Sequence, residues 1–281
     1  MGYLPLAGKV AIVTGAGSPI GLGRAMTFAL VNAGAQVAML DINEDWLEET
    51  AHDIHKITGK KCTITQICDI SNPESAEKAV ENTVNTFGGI HILINNAGIM
   101  RPSAVSKNFR NNFWDIPAST WSKVMAVNAN GPFNMAKASV GHMISQKWGR
   151  IIGITTSLDT MYRQGMCPYG PSKASHEAFV ALMARELEGT GVTANVLIPG
   201  GTTDTNLLPI NLKYEMETLI QPNVMQSPVV WLASEESQSI NGHRFIAYEW
   251  DETLPIEKRL AKAGASAAWP QLGNQPINPF T

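Results

Sequence analysis

Cysteine is scarce in this sequence, and its scarcity excludes several classes of protein. The 281 residues include only three cysteines, Cys62, Cys68 and Cys167, which do not pair evenly and lack the spacing of zinc ligands. A disulfide scaffold and a zinc centre are therefore excluded, and we expect no metal site. Reduced thiols are typical of the cytoplasm, so the sequence predicts a cytoplasmic protein.

A strong charge imbalance and a long apolar run are also lacking. Lys and Arg total 21 against 24 Asp and Glu, which gives a net charge of −3, and no basic run occurs. A nucleic-acid partner is therefore not expected. No apolar run approaches the ~20 residues that a membrane-spanning helix needs, and Met1–Leu6 lacks the basic start of a signal peptide. We therefore expect no membrane partner.

What the sequence does have is an alternation of apolar runs with amphipathic stretches. The runs are Val10–Val13, Gln36–Leu40, Cys62–Ile67, His91–Ile94, Arg150–Ile154 and Val192–Ile198. The predicted helices cover about 22–33, 43–58, 73–87, 119–147 and 168–188. Continuous apolar runs separated by helices indicate parallel strands covered on both faces, which predicts a three-layer, doubly wound α/β fold. We expect one domain over 1–250, and a tail over 251–281 that packs on it or on a neighbouring subunit.

A glycine-rich stretch, Thr14–Gly23, follows the first run and opens a helix. Glycines let the backbone turn sharply and approach a pyrophosphate, and the helix N-terminus offers unpaired amides. The stretch therefore predicts a dinucleotide site, with a purely structural turn as the alternative. The contacts are expected from Gly15, Ser18, Ile20, Gly21 and Leu22.

Asp41 closes the second run, about 20 residues beyond the glycine-rich stretch, where a carboxylate accepts hydrogen bonds from both hydroxyls of an adenosine ribose. No Arg or Lys stands between Met39 and Asn43 to bind a 2′-phosphate, so the sequence favours NAD over NADP. Asn43 is available as the N-cap of the following helix, which is the alternative role for Asp41. We expect Asp41 and Ile42 to contact the cofactor.

Two further strand ends carry polar or small residues. Asp69, followed by Ile70, is placed to receive the adenine amino group, with a simple helix cap as the alternative. The fourth run ends in Asn95–Gly98, whose small residues would let the adenosine lie close to the backbone. The expected contacts there are Asn96, Ala97 and Gly98.

Tyr169 and Lys173 stand one helical turn apart and so share a face of a helix. An ammonium beside a phenol favours the phenolate and lowers the phenol pKa from its usual ~10, which would make the pair a usable acid/base. Pro171 is acceptable only in a first helical turn, so the helix must begin just before it. The alternative is an exposed helical pair with no chemistry.

Taken together, these stretches resemble the short-chain dehydrogenase/reductase family over about residues 7–248. The matching residues are Thr14 with the glycine-rich loop, Asp41, Asp69, Asn95–Gly98, Asn128, Ser157, Tyr169 with Lys173, and Pro199-Gly200. The resemblance implies a Rossmann fold with a parallel sheet of about seven strands, the last being Arg244–Tyr248. It also implies a homotetramer or dimer that associates through the helices near 119–147 and 168–188 and through the last strand.

The resemblance also implies roles for four catalytic residues. Tyr169 carries the proton, and Lys173 lowers its pKa and binds the nicotinamide ribose. Ser157 hydrogen-bonds the substrate oxygen. Asn128 places a water that links the lysine to solvent. The alternatives are that Ser157 is an ordinary polar strand end and that Asn128 is a helix-interior amide satisfying backbone groups.

The sequence departs from the family pattern in four places. The glycine-rich loop has two extra residues between Gly15 and Gly21, and the segment 101–118 is longer than usual. After Pro199 and Gly200, the threonine that contacts the carboxamide is either Thr202 or Thr205. The tail extends about 30 residues past the last strand, shows no regular period, and is interpreted as a cover for its own or a neighbouring subunit's pocket.

The substrate pocket is expected to be lined by Leu158–Tyr162, Gly165–Cys167 and Thr202–Leu208. From the long loop we expect further contributions from Phe109, Phe113 and Trp114. This mixture indicates a medium-sized, partly apolar alcohol or ketone. The sequence thus predicts an NAD-dependent secondary-alcohol dehydrogenase or carbonyl reductase. Two alternatives stay open: a catalytically inactive dinucleotide-binding regulator on the same fold, and an epimerase or dehydratase that uses bound NAD.

Overall fold

Segments of four to seven residues, most of them apolar and buried, form the parallel strands of one sheet. The computed structural model describes residues 4–59, 61–100, 112–208 and 216–272. The strands are β1 (Val10–Thr14), β2 (Gln36–Asp41), β3 (Thr63–Ile67), β4 (Ile92–Asn95), β5 (Gly149–Ile154), β6 (Val192–Ile198), β7 (His243–Ile246) and β8 (Gly264–Ser266). Their order is β3-β2-β1-β4-β5-β6-β7-β8, and every pair is parallel except β7 with β8.

Helices connect the strands and begin and end at residues suited to capping. They are α1 (Leu22–Asn32), α2 (Glu44–Thr58), α3 (Pro73–Phe87), α4 (Ala118–Met125), α5 (Gly131–Ser145), α6 (Leu158–Tyr162), α7 (Tyr169–Glu186), α8 (Gln226–Leu232) and α9 (Ile256–Ala263). Asn43 and Asn72 cap the starts of α2 and α3 with side-chain oxygens. Gly59 and Gly88 end the same two helices in the left-handed conformation.

Apolar side chains pack on both faces of the sheet, which gives the predicted three layers. On one face, α1, α2, α8 and α9 cover strand residues such as Val13 and Ile94. On the other, α3, α5 and α7 cover residues such as Ile12 and Leu93. Because neighbouring residues of one strand are buried on opposite faces, the continuous apolar runs are explained, and the predicted doubly wound α/β fold is confirmed.

Three features differ from the sequence prediction. The sheet has eight strands rather than about seven, since the tail contributes the antiparallel β8. The last parallel strand is His243–Ile246 rather than Arg244–Tyr248, because the chain turns into a 3-10 helix at Ala247–Glu249. The helix predicted over 119–147 is two helices joined by a π turn at Ala126–Asn130.

The tail is ordered into a short helix and strand beside β7. Trp250, almost fully buried, begins this arrangement by packing 4.9 Å from the Trp231 ring and 6.1 Å from the Phe245 ring. The eight residues of α9 and the three of β8 follow. Segments this short do not show a period in the sequence, which explains why none was predicted.

Candidate functional site

The polar ends of the parallel strands border one cleft of about 1290 Å³. Its centre is the point where strand order reverses, between β1 and β4, which is where ligands bind in sheets of this kind. The predicted site residues that line the cleft are Gly15, Ser18, Ile20, Gly21, Leu22, Asp41, Ile42, Asp69, Ile70, Asn96, Ala97, Gly98, Ser157, Tyr169, Lys173, Pro199, Gly200, Thr202 and Thr205. Asn128 is the one predicted site residue behind the cleft wall, where it is fully buried.

The glycine-rich loop needs two of its glycines for close packing. Gly15 has φ +65°, and a Cβ there would lie 2.8 Å from the Cα of Ala97. A Cβ on Gly23 would overlap the carbonyl oxygen of Gly15. The Asn96 amide joins the same contact by donating to the carbonyls of Thr14 (2.8 Å) and Gly15 (3.1 Å). The start of α1 is therefore held directly against the end of β1.

The two extra residues of this loop are accommodated in a turn that the segment after β6 supports. The Ser18 hydroxyl donates to the carbonyl of Ile20 at 2.9 Å. Asn206 donates its side-chain amide to Ser18 Oγ (3.0 Å) and its backbone amide to the Ile20 carbonyl (3.1 Å). Gly21 then caps α1, so its N-terminus still faces the cleft.

Asp41 lies at the end of β2 and holds the glycine-rich loop through its carboxylate. One oxygen accepts from the Gly17 amide at 3.0 Å, and the other accepts from the amides of Ile42 (2.8 Å) and Asn43 (3.2 Å). The cap of α2 is Asn43, whose side chain accepts from Trp46 N, so the alternative role for Asp41 is not used. Asp41 therefore stands in the cleft as an acceptor already oriented by backbone amides.

Asp69 makes the contacts of a turn residue as well as lining the cleft. Its carboxylate accepts from the amide (2.9 Å) and the hydroxyl (2.7 Å) of Ser71. Asn72, not Asp69, caps α3. The next residue, Ile70, is fixed by the Asn134 side chain, which donates to the Ile70 carbonyl at 2.9 Å. The adenine-facing wall of the predicted site is thus rigidly tied to α3 and α5.

Ser157 and Tyr169 each begin a helix at the edge of the cleft. Ser157 caps α6, where its Oγ accepts from Thr160 N (3.3 Å) and lies 2.7 Å from Thr160 Oγ1. Tyr169 is the first residue of α7, with Pro171 in the first turn as the sequence predicts. Lys173 is almost fully buried and donates from Nζ to the carbonyl of Ile154 at 2.8 Å.

Burial shifts the pKa values of this pair in directions that the sequence analysis did not anticipate. It raises the pKa of Tyr169 to about 12, because the phenolate is poorly solvated there. It lowers the pKa of Lys173 to about 8, because the ammonium is also desolvated. Nζ lies 5.9 Å from the centre of the tyrosine ring and donates to Ile154. The pKa of Tyr169 is therefore raised by burial, whereas the sequence analysis expected it to be lowered.

Asn128 lies in the π turn and makes the contacts of a buried structural amide. Its Oδ1 accepts from Ile99 N at 2.8 Å, and its Nδ2 donates to the Ile99 carbonyl and to Ser172 Oγ, both at 2.9 Å. These bonds connect the chain after β4 to α7. A Cβ on Gly98 would lie 3.3 Å from Asn128 Oδ1 and 3.2 Å from Lys173 Nζ, so this glycine leaves room for both side chains.

The wall beyond Ser157 is more polar than predicted. Among the residues expected there, Thr160, Met166 and most of Thr202–Leu208 line the cleft. Leu158 and Tyr162 are exposed outside it, and Gly165 and Cys167 are not among its lining residues. The sequence reasoning missed Arg163 and Gln164, together with Met100 and Lys123. No motif marks these residues, although Arg163 follows Asp159 at the spacing of a helical ion pair.

The long loop contributes less than predicted in its described part. Phe113 and Trp114 pack edge to face at 5.1 Å, are mostly exposed, and are not among the lining residues. Phe109 lies outside the described residues. Of the described residues, none after Leu208 lines the cleft, so the tail from 251 to 272 does not cover the cleft of its own chain. A cover for a neighbouring subunit's pocket stays a prediction.

Comparison with known proteins identifies the family of this chain. The family model of the short chain dehydrogenases matches residues 9–213. The chain belongs to this family. A 3-oxoacyl-[acyl-carrier-protein] reductase of Vibrio cholerae is 32% identical over 245 residues, which are 84% of this chain and 94% of the relative. A 2,5-dichloro-2,5-cyclohexadiene-1,4-diol dehydrogenase of Sphingobium indicum is 30% identical over 245 residues, covering 84% and 93%.

A solved structure gives the same result for the fold. A short-chain type dehydrogenase/reductase from Mycobacterium marinum superposes with a TM-score of 0.76 at 27% identity, covering 87% of this chain and 95% of that one. The predicted family membership is confirmed. The chain is therefore a short-chain dehydrogenase/reductase, an oxidoreductase that acts on CH–OH groups of small molecules with a nicotinamide dinucleotide.

The described residues contain neither a candidate membrane span nor a candidate metal cluster. No helix within them is both long enough and apolar enough to cross a membrane. Across the same ranges, no group of three or more His, Cys, Asp and Glu side chains is arranged to hold a metal ion.

Proposed function

We propose that this short-chain dehydrogenase/reductase is an NAD(H)-dependent enzyme that interconverts a secondary alcohol and a ketone, with Tyr169 as the acid/base. The observation that carries the proposal is the shared cleft: Asp41 stands at one end, and Ser157, Tyr169 and Lys173 stand together across the sheet's switch point. An inactive binding protein would not need these three side chains on one wall.

The cofactor end of the cleft fits a dinucleotide. Gly15, Gly21 and Leu22 line this end, and Gly21 precedes α1 without providing a side-chain cap, so the N-terminus of this helix is available to a pyrophosphate. Asp41 offers carboxylate oxygens to ribose hydroxyls. The described cations that line the cleft are Lys123, Arg163 and Lys173, and none stands on the turn after β2, where a 2′-phosphate would need one. This supports NAD rather than NADP.

When bound, the nicotinamide would exchange a hydride with the substrate carbon. Ser157 would donate a hydrogen bond to the substrate oxygen and hold it beside Tyr169. A phenol is protonated at neutral pH, and burial raises the pKa of Tyr169 further, so the residue holds the proton that it would give to that oxygen during reduction. During oxidation the tyrosine must accept the proton, and the charge of Lys173 then stabilises the phenolate.

The substrate end supports a polar, medium-sized substrate. Arg163, Gln164 and Asn206 line it together with Met100 and Met166. Two relatives act, by their names, on a 3-oxoacyl thioester and on a cyclic diol. We infer a substrate that presents a hydroxyl or carbonyl to Ser157 and further polar groups to this rim.

The decisive test compares the turnover of two tyrosine variants on a panel of 3-oxoacyl thioesters, linear secondary alcohols and cyclic diols. Turnover is measured by the absorbance of the cofactor. Tyr169→Phe should lose turnover by a factor on the order of 100 or more, whereas the exposed Tyr162→Phe should match the unmodified enzyme. Undiminished turnover in Tyr169→Phe would refute the acid/base role. Binding of the cofactor alone, with no turnover on any substrate, would favour the regulator. Turnover of a substrate without net reduction of NAD would favour the epimerase or dehydratase.

The cofactor preference has its own test. Titration should show NADH binding more tightly than NADPH, and Asp41→Ala should reduce that preference by removing the repulsion of a 2′-phosphate. Equal binding of both cofactors to the unmodified enzyme would contradict the role given to Asp41.

We also propose a cytoplasmic homo-oligomer. On the surface formed by α5 and α7, Phe133 lies 5.8 Å from the Phe179 ring and remains 48% exposed, and Leu182 is 49% exposed. β7, in contrast, is already paired with β8 and has no open edge. Sedimentation of Phe133→Glu should therefore show dissociation, and an unchanged assembly would exclude this surface as the interface.

A further inference from the structure

An ion pair between a buried glutamate and a partly buried arginine lies directly behind the end of the strand that leads to Ser157. Glu177 of α7 is 1% exposed, and its Oε1 accepts from Arg244 Nε at 2.9 Å. Its other oxygen accepts from the hydroxyl of Thr155 at 2.9 Å. Nη2 of the same arginine donates to the Thr156 carbonyl at 3.1 Å. The pair therefore holds both residues that immediately precede Ser157.

The same helix holds the end of β5 at a third point. Lys173 donates to the carbonyl of Ile154, the last residue of the strand. Tyr169, Lys173 and Glu177 are spaced four residues apart, so they lie on one face of α7. This face thus carries the tyrosine and two of the three side chains that fix the last residues before Ser157. The position of Ser157 relative to Tyr169 is set by these contacts.

Stability alone does not account for a charged pair at this place. Removing two charges from water costs free energy, and well-packed apolar residues of similar volume often stabilise a fold as much or more. An apolar pair, however, has no donor for the Thr156 carbonyl and no acceptor for the Thr155 hydroxyl. The charged pair supplies hydrogen bonds that fix the orientation of two consecutive residues, Thr155 and Thr156.

We propose that Glu177 and Arg244 are positioning residues, which set the Ser157 hydroxyl at the distance from Tyr169 that the substrate oxygen requires. The inference rests on the function proposed above, because that function gives Ser157 and Tyr169 a common substrate atom. Neither positioning residue lines the cleft, so neither touches substrate or cofactor directly. Their effect is geometric: a misplacement of about 1 Å can reduce a rate ~100-fold.

The proposal is tested with variants that distinguish an effect on the position of Ser157 from an effect on the stability of the fold. Arg244→Met leaves a buried carboxylate without its partner and should destabilise the protein. The double variant Glu177→Leu/Arg244→Met should regain stability, yet its kcat should fall by a factor on the order of 10 or more while the dissociation constant for NADH stays the same. Arg244→Lys serves if the double variant does not fold, since it keeps the charge but lacks the second donor arm.

Arg150→Met is the matched control. Arg150 is a buried arginine at the other end of the same strand, where it donates to the carbonyls of Ser234 (3.1 Å) and Gly149 (2.9 Å). Its loss should lower the melting temperature and leave kcat of the folded enzyme unchanged. A role that is only structural would make the two arginines behave alike.

A measurement on the protein without ligand distinguishes failure of this inference from failure of the proposed function. Amide hydrogen exchange over residues 154–160 should be faster in the double variant than in the unmodified protein and in Arg150→Met. An unchanged exchange rate or an unchanged kcat in the double variant would overturn the positioning role. Full activity of Tyr169→Phe would instead overturn the proposed function, and the exchange rates do not depend on it.

Discussion

Replacing Lys173 by methionine should remove turnover and, near neutral pH, stabilise the fold. The side chain is almost fully buried, and burial lowers its pKa from 10.5 to about 8. Below about pH 8 the folded protein therefore contains a desolvated ammonium. Each pKa unit corresponds to ~1.4 kcal/mol, so the charge costs ~3 kcal/mol of folding free energy. The variant would be freed of this cost, but it would also lose the hydrogen bond to Ile154, which offsets ~1 kcal/mol of the stabilisation.

The dependence on pH is the sharper quantity, because it is independent of how methionine packs. The folded pKa lies below the unfolded one, so between them the unfolded chain binds more protons and stability rises with pH. With values of about 8 and 10.5, the unmodified protein should gain ~2 kcal/mol between about pH 7 and about pH 9.5, and Lys173→Met should not. Tyr169, whose pKa is raised to about 12, affects stability only above this window.

The assay is urea unfolding, monitored by tryptophan fluorescence at several pH values in this window. The quantity compared across variants is the change of the unfolding free energy with pH. Lys78→Met provides the control, since Lys78 is exposed on α3 and its loss should leave the pH dependence as in the unmodified protein. Parallel stability curves for Lys173→Met and the unmodified protein would refute the reasoning. So would a Lys173→Met protein that is less stable than the unmodified one at every pH.

Three further predictions test the loop, the sheet and the tail. Gly23→Ala should weaken NADH binding in titrations and destabilise the fold, because its Cβ would overlap a carbonyl of the glycine-rich loop. The control is Gly141→Ala, whose added Cβ meets nothing within 4 Å. This variant should leave the stability of the fold unchanged or raise it by ~0.5–1 kcal/mol. His91 accepts a hydrogen bond from a β1 amide, and burial and a nearby lysine lower its pKa. The stability of the fold should therefore fall as the pH drops below about 6.5. In thermal unfolding, His91→Gln should reduce this loss of stability at acid pH. Trp250→Ala should cost ~3–5 kcal/mol in chemical unfolding without changing NADH affinity, because it packs between aromatic rings away from the cleft; a large loss of affinity would contradict that separation.

The fold was predictable because its signals are local. A strand buried on both faces is apolar along most of its length, and Val10–Val13 of β1 illustrates this. A proline in a first helical turn fixes a helix start, which placed Tyr169 at the beginning of α7. The order of polar residues at successive strand ends then predicted one cleft, since parallel strands end at the same edge.

The parts that were missed depend on contacts between distant residues. The π turn contains ordinary helical residues, and Asn128 shapes it through partners 29 and 44 positions away. The pKa of Tyr169 follows from burial in the folded chain, which spacing in the sequence does not reveal. The ion pair between Glu177 and Arg244 joins residues 67 positions apart. Glu177 lies in α7, where the sequence analysis considered only the residues from Tyr169 to Lys173.

The strand from the tail determines what the sheet presents at its outer edge. β8 pairs with His243–Phe245 and consists of Gly264, Ala265 and Ser266. An edge of three small residues offers another molecule few backbone groups and almost no apolar surface to align on. The enzyme thereby ends its sheet with a segment unsuited to strand-by-strand aggregation. Deleting this segment would expose the backbone groups of β7 that now pair with β8.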